Sequence, residues 1–413
     1  MTTLSDDRPP LSPGQLRDEL VNRLCEQKTI RTPGIETAIR SVPRELFLPG
    51  VPLAMAYADN AVYTKWDAAG TDISAASQPT IVAMMLEQLA PAPGDKIMEA
   101  GAGTGYNAAL LASAVGRAGH VTTIDVDQDL ADSACEHLAS AGVTNVDVIL
   151  GDAALGHADA APYDKVMATV SAYDIPPAWL SQLRPSGRLV VPLRLRGTNS
   201  RSIAFERGTS GWHSVDSQLA VFMPLRGIAD DARRTITLTP KGDVTLQVHK
   251  DQTADAEALA GVLNTGRHEH WTEVMFPPMV PYEWMDLWLS CTLGNALMRM
   301  SVQPPAKDRG QVTPMFGWGS MATTRGPDLA YLTVRPAPPA AGGGKLYEVG
   351  VIGHGPAGPG LMDLVAEQVR LWDKTYRART VRFGIPDAPA IADPAAGRFV
   401  LHRPHHSITV TWQ

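Results

Sequence analysis

Apolar positions along the chain change their spacing twice. Leu16, Leu20, Val21 and Leu24 recur at helical intervals, with Ser12 placed to cap the helix and Pro13 at its first turn. A second helix is expected from Thr32 to Val42, closed by Pro43. Short apolar runs then alternate with helical stretches. Strands are predicted at 96–100, 120–125, 146–150, 163–169 and 187–192, and helices at 80–89, 106–115 and 128–141. That alternation predicts an α/β domain over residues 14–226, a parallel sheet with helices on both faces. Residues 1–13, polar and rich in proline, are expected to form a disordered leader. Beyond residue 227 the runs become mostly strand-like (235–238, 244–248, 329–334, 347–352 and 407–411), with one strong helix at 361–376. In that helix Leu361, Leu364, Val365, Gln368 and Trp372 share a face. This part is expected to be a C-terminal α+β domain, 227–413, with residues 336–344 as a loop inside it.

Composition narrows the picture. The chain has 413 residues, 44% hydrophobic and 19% charged, which fits a globular protein of two domains and excludes wholesale disorder. The net charge is −7. Residues 227–413 hold 18 basic and 18 acidic side chains, so the whole surplus lies in the first part. An acidic body without a basic cluster speaks against nucleic acid as partner. No apolar run is long enough for a membrane-spanning helix, and three widely spaced cysteines point to a reducing, cytoplasmic setting.

The densest chemistry is IMEAGAGTGY at residues 97–106. A buried strand runs into a turn made by Gly101, Gly103 and Gly105, which opens a helix whose free N–H groups can hold an anion. Asp125 ends the next strand, VTTID, where a carboxylate can accept hydrogen bonds from ribose hydroxyls. A dinucleotide fingerprint needs glycine at position 106, and Tyr106 stands there instead, which disfavours a nicotinamide dehydrogenase. The pattern, from Glu99, resembles motif I of the Rossmann-like class I S-adenosylmethionine methyltransferases. That resemblance implies S-adenosyl-L-methionine as cofactor, held by Glu99, Gly101, Gly103, Gly105 and Asp125, with Asp152 near the adenine.

Further motifs follow in order: SVPRELFLP (41–49), AYAD (56–59), SQPTIVA (77–83), APYD (161–164), LRPSGRLVVP (183–192) and FMPL (222–225). Together they resemble the protein-L-isoaspartate O-methyltransferase family over residues 14–226. The resemblance implies methyl transfer to a peptide carboxylate. It puts Ser77 beside the reacting group as an orienting hydrogen-bond donor, with Thr169 lining the peptide site. Ser77, three residues before Thr80, also reads as a helix cap.

Residues 60–76 depart from the family pattern, being longer and differently built. Their TKWD segment (64–67), with a long C-terminal extension, resembles a subgroup associated with ribosomally made modified peptides such as lanthipeptides and graspetides. Relatives of that kind methylate an aspartate in a constrained, macrocyclic precursor peptide, and the ester cyclises to an aspartimide. Lys65, Trp66 and Gln78 are the expected substrate contacts. Isoaspartate repair on damaged proteins, and cofactor binding without turnover, are the alternatives. In the C-terminal part Trp271, Trp284, Trp288, Trp318 and Trp372 suit either a core or a peptide groove. His268, His270, His405 and His406 lack the spacing of a metal centre, so no metal is expected.

Overall fold

The computed structural model describes residues 11–66, 70, 72–225, 233–339 and 343–413. The first ten positions of the expected leader, Asp67 of the TKWD segment, the expected boundary at 226–227 and part of the 336–344 loop lie outside them. The chain divides into two compact units, Met1–Leu193 with Ser202–Asp230, and Arg194–Arg201 with Asp231–Gln413.

The first unit begins with α1 (Pro13–Glu26), α2 (Pro33–Ser41) and the short α3 (Leu53–Ala56). Ser12 and Gln15 form a reciprocal capping box on α1. A two-stranded antiparallel hairpin follows, β1 (Val62–Trp66) and β2 (Asp72–Ala76). Then come α4 (Pro79–Leu89), β3 (Lys96–Ala100), α5 (Tyr106–Val115), β4 (His120–Asp125), α6 (Gln128–Ser140), β5 (Val146–Leu150), β6 (Tyr163–Ala168) and α7 (Pro177–Ser181). Three strands close the unit: β7 (Leu183–Arg194), β8 (Ser200–Arg207) and β9 (Gly211–Leu219).

Within this unit the strands adjoin in the order β9-β8-β7-β6-β3-β4-β5. β5, β4, β3, β6 and β7 run parallel to one another. The chain leaves β3 toward β4 and β5, then returns to its other side as β6. That reversal places a crevice at the carboxyl ends of β3 and β6, where open α/β sheets bind ligands. Ile97, Val121, Met167 and Val190 of the strands join Ala83, Leu86, Leu110 and Leu111 of the helices in one core. This is the class I methyltransferase fold. The hairpin, β8 and β9 are additions that the apolar period did not show. The hairpin reads as a loop in sequence because its residues alternate too weakly.

The second unit contains β10 (Arg233–Thr237), β11 (Val244–His249), β12 (His268–Phe276), α8 (Glu283–Thr292), β13 (Met298–Val302), α9 (Pro304–Asp308), β14 (Gly319–Arg325), β15 (Asp328–Ala337), β16 (Leu346–His354) and α10 (Gly358–Leu371). It ends with β17 (Val381–Pro386), β18 (Arg398–Leu401) and β19 (Ile408–Trp412). Seven strands form an antiparallel sheet, β10-β11-β13-β14-β15-β16-β12. The helix expected at 361–376 ends at Leu371 and continues as a π-helical turn, Trp372–Tyr376. Leu364 is exposed, and Leu361, Met362, Val365, Ala366 and Val369 form the buried face. Trp288 and Trp372 are core residues, and Trp288 stacks on Tyr376 at 4.1 Å and meets Trp412 edge-on. Residues 194–201 belong to this unit. Arg194 pairs with Asp251 at 2.8 Å, Asn199 bonds Ser290 at 2.7 Å, and Arg201 pairs with Glu283 at 2.6 Å while lying over the Trp284 ring.

Among the described residues no helix is long and apolar enough to cross a membrane. Phe47 is fully buried and meets Tyr106 edge-to-face at 5.6 Å. Phe47→Ala is therefore expected to lower stability by ~3–5 kcal/mol, read from the urea unfolding of the full chain.

Candidate active site

The glycine turn sits at the carboxyl end of β3. Gly101, Gly103 and Gly105 all have positive φ, at 101°, 51° and 84°. At Gly101 the constraint is double, because a Cβ would also lie 2.7 Å from Thr169 Oγ1. Thr169 follows β6, and its hydroxyl donates to the carbonyls of Gly101 at 2.7 Å and Ala100 at 3.1 Å. Thus Thr169 buttresses the turn across the reversal point. Gly105 takes the N-cap position of α5 and leaves the first turn of that helix open.

Asp125 ends β4 beside the turn. One carboxylate oxygen accepts from Gly103 N–H at 3.0 Å and the other from Asp127 N–H at 3.2 Å. Each oxygen keeps a lone pair for a ribose hydroxyl. Gly151 N–H bonds the Asp125 carbonyl at 2.9 Å, so the end of β5 joins the same rim. Asp152, the next residue, accepts from Ala154 N–H at 2.9 Å and caps a short 3-10 turn.

Glu99 occupies a different place from the one expected of it. It is fully buried behind the turn, with its oxygens bonded to Asn107 Nδ2 at 2.7 Å and Thr123 Oγ1 at 2.6 Å. It joins β3, β4 and α5 and presents no oxygen to the crevice. Burial pushes its pKa up to about 7 against the two hydrogen bonds, and the neighbouring Asp125 adds to the rise.

Ser77 and Gln78 lie between β2 and α4, half-buried. Gln78 takes the N-cap position without a side-chain cap bond. Ser77 is not the cap either. Asp59 accepts from Thr80 N–H at 2.9 Å and from Thr80 Oγ1 at 2.6 Å, which satisfies that end of the helix. The Ser77 carbonyl accepts from Arg44 at 2.9 Å, and its hydroxyl is in no hydrogen bond among the described residues. Arg44, fully buried, also donates to the Ala56 carbonyl at 2.8 Å and lies 4.7 Å from the Tyr106 ring centre. One guanidinium thereby sets the Ser77 segment against the start of α5.

Lys65 also differs from expectation. Its ammonium is bonded to Asp127 at 2.9 Å and Asp129 at 2.6 Å, so it is tied inside the protein and not offered to a substrate carboxylate. Trp66, 54% exposed, ends β1. Sequence reasoning passed over Arg44, Asp59, Asn107 and Asp127. The one available signal was a lone arginine inside the apolar SVPRELFLP stretch.

The residues present suit S-adenosylmethionine: a carboxylate for a ribose, an open helix start for a carboxylate, and glycines that leave room for close approach. Fold and site together define a class I methyltransferase dependent on that cofactor. The model of the family "Protein-L-isoaspartate(D-aspartate) O-methyltransferase (PCMT)" matches residues 15–228. A protein-L-isoaspartate O-methyltransferase of Ignicoccus hospitalis is 41% identical over 175 residues, 42% of this chain and 80% of its own. Another, from Archaeoglobus fulgidus, is 39% identical over 218 residues, 51% of this chain and 93% of its own. A solved structure bearing the same enzyme name aligns over 90% of this chain and 96% of its own, at 18% identity and a TM-score of 0.49. The chain belongs to the protein-L-isoaspartate O-methyltransferase family.

Two outcomes test this geometry. Asp125→Ala is expected to weaken S-adenosylhomocysteine binding roughly ten- to hundred-fold by calorimetry, because a charged acceptor is lost and Gly103 N–H is stranded. The raised pKa of Glu99 adds stability that is complete below about pH 4.5 and is lost as pH rises through about 7. Glu99→Gln keeps the shape and cannot ionise. Its melting temperature should therefore fall less than that of the parent between pH 5 and pH 8.

Proposed function

We propose that the protein methylates the free α-carboxylate of isoaspartyl residues in peptides and proteins, the first step of isoaspartate repair. The observation that carries this reading is the family match over residues 15–228, together with a serine segment held beside the glycine turn by Arg44. When bound, S-adenosylmethionine supplies a methyl group on a positively charged sulfur that leaves as a neutral thioether. The substrate carboxylate is already ionised at neutral pH, so no strong base is needed. Its oxygen forms the new C–O bond as the C–S bond breaks, and no proton moves. What remains for the protein is alignment and exclusion of water, a positioning task.

In this reading Ser77 donates its hydroxyl hydrogen to the carboxylate oxygen that does not react and so orients the other. Gly101, Gly103, Gly105 and Asp125 hold the cofactor, and Asp152 takes the adenine side. Glu99 and Thr169 support the turn from behind and from the side. Gln78 and the exposed Trp66 face the incoming peptide.

A second reading is favoured by one feature, the β1–β2 hairpin in the stretch where this chain leaves the family pattern. In it the target is an ordinary aspartate of a constrained ribosomal peptide, with the C-terminal part, 227–413, as the recognition module. The following backbone nitrogen then attacks the ester carbonyl, methanol leaves, and an aspartimide forms.

Labelled methyl transfer separates the two. The first reading expects label on short isoaspartyl peptides and none on their aspartyl twins. Label confined to ring-bearing aspartyl peptides would replace it with the second. Ser77→Ala is expected to lower kcat about ten-fold or more with cofactor affinity unchanged. An unaltered kcat removes Ser77 from the mechanism.

A further inference from the structure

Lys65 occupies an unusual position in the hairpin. The register steps from Tyr63↔Ala75 to Lys65↔Ser74, so β1 carries an extra residue, Thr64, whose hydroxyl bonds Ser74 Oγ at 3.2 Å. A bulge of this kind re-aims side chains. Cross-strand partners project from the same face, and here that face carries Ser74 and Lys65. Ser74 is 4% exposed, and its Oγ lies 3.9 Å from where a Cβ of Gly103 would be. The Lys65 ammonium reaches Asp127 and Asp129 at the start of α6. Asp127 N–H bonds Asp125, and Asp125 holds Gly103 N–H. Bonds run from Gly103 through Asp125 and Asp127 to Lys65, and Ser74, the cross-strand partner of Lys65, lies on the Gly103 side.

We propose that Lys65 is a positioning residue for methyl transfer, a latch that holds the hairpin across the glycine turn and so retains the bound cofactor. It acts through Asp127 and Asp129 and touches neither reactant. The pair with Asp127 is mostly shielded, with side-chain exposures of 25% and 20%, so solvent weakens it less than an open surface pair. Asp127 holds the N-cap position of α6 yet makes no side-chain cap bond to the helix. Its carboxylate serves the latch. β2 runs directly into Ser77, so a hairpin pinned at Lys65 also steadies the residue assigned to the substrate. The exposed Tyr63 and Trp66 of the same strand are left for the peptide.

The latch rests on the cofactor reading of the site. Binding of S-adenosylhomocysteine to the full-length protein, measured by calorimetry, tests both. Lys65→Met is expected to raise Kd about five- to ten-fold, with Lys65→Arg back within about two-fold of the parent and Asp129→Asn between them. High salt should narrow the gap between parent and Lys65→Met. With cofactor saturating, KM for the methyl-accepting peptide should rise by a smaller factor than Kd, because the loosened hairpin reaches Ser77 only through β2. An unchanged Kd in Lys65→Met overturns the latch, as does a raised peptide KM with Kd unchanged, which would make Lys65 a substrate contact. If the parent itself binds no S-adenosylhomocysteine, the cofactor reading and the latch fall together. The milder changes Lys65→Arg and Asp129→Asn keep the question decidable if Lys65→Met folds poorly.

Discussion

A guanidinium without solvent depends on the protein for its partners, and Arg44 is in that position, with Nε and Nη2 bonded and Nη1 in no hydrogen bond among the described residues. Burial works against its charge, and the neighbouring Tyr106 is the largest offset. Its donors reach the carbonyls of Ala56 and Ser77, which belong to segments more than ten and thirty residues away in sequence. The entry to α4, the turn after α3 and the start of α5 are thereby held around one cation. Loss of any one partner would strand a buried charge, which is far more costly than loss of a surface pair. The placement of Ser77 opposite the glycine turn follows from this constraint more than from any property of Ser77 itself.

Around that anchor the site is built in two layers. The inner layer is the turn itself, where glycines adopt backbone angles that other residues resist and Asp125 receives Gly103 N–H. The outer layer keeps the turn in shape. Glu99 ties it to α5 and β4 from within, Thr169 braces it from just past β6, and Ser74 of the hairpin lies near Gly103. Methyl transfer to an ionised carboxylate needs alignment and little acid–base help, so a site made chiefly of supports suits the chemistry.

The parallel-sheet elements were legible in sequence. Residues 106–115 form α5 and residues 146–150 form β5 with the bounds their apolar pattern predicts. The glycine turn and Asp125 were legible too, because their requirements are local: positive φ, a strand end, a helix start. Lys65 and Glu99 were not. A lysine beside an exposed tryptophan looks like a substrate contact until Asp127 and Asp129, more than sixty residues on, are seen to claim it. A glutamate opening a glycine motif looks like a ligand-binding group until Asn107 and Thr123 are found on its two oxygens. The tryptophans Trp288 and Trp372 resolved the same way, as core residues of the second unit.

By itself the sequence determined the period of each element, the turn that can face a cofactor, and the order of motifs that marks the family. Those features depend on residues close together along the chain. Only the tertiary structure decided which charged groups are used up inside the protein and which remain for ligands. That choice is made by distance between remote segments. A hydrogen bond or ion pair across sixty residues leaves no period in the sequence, yet it determines whether Lys65 serves a substrate or a hairpin.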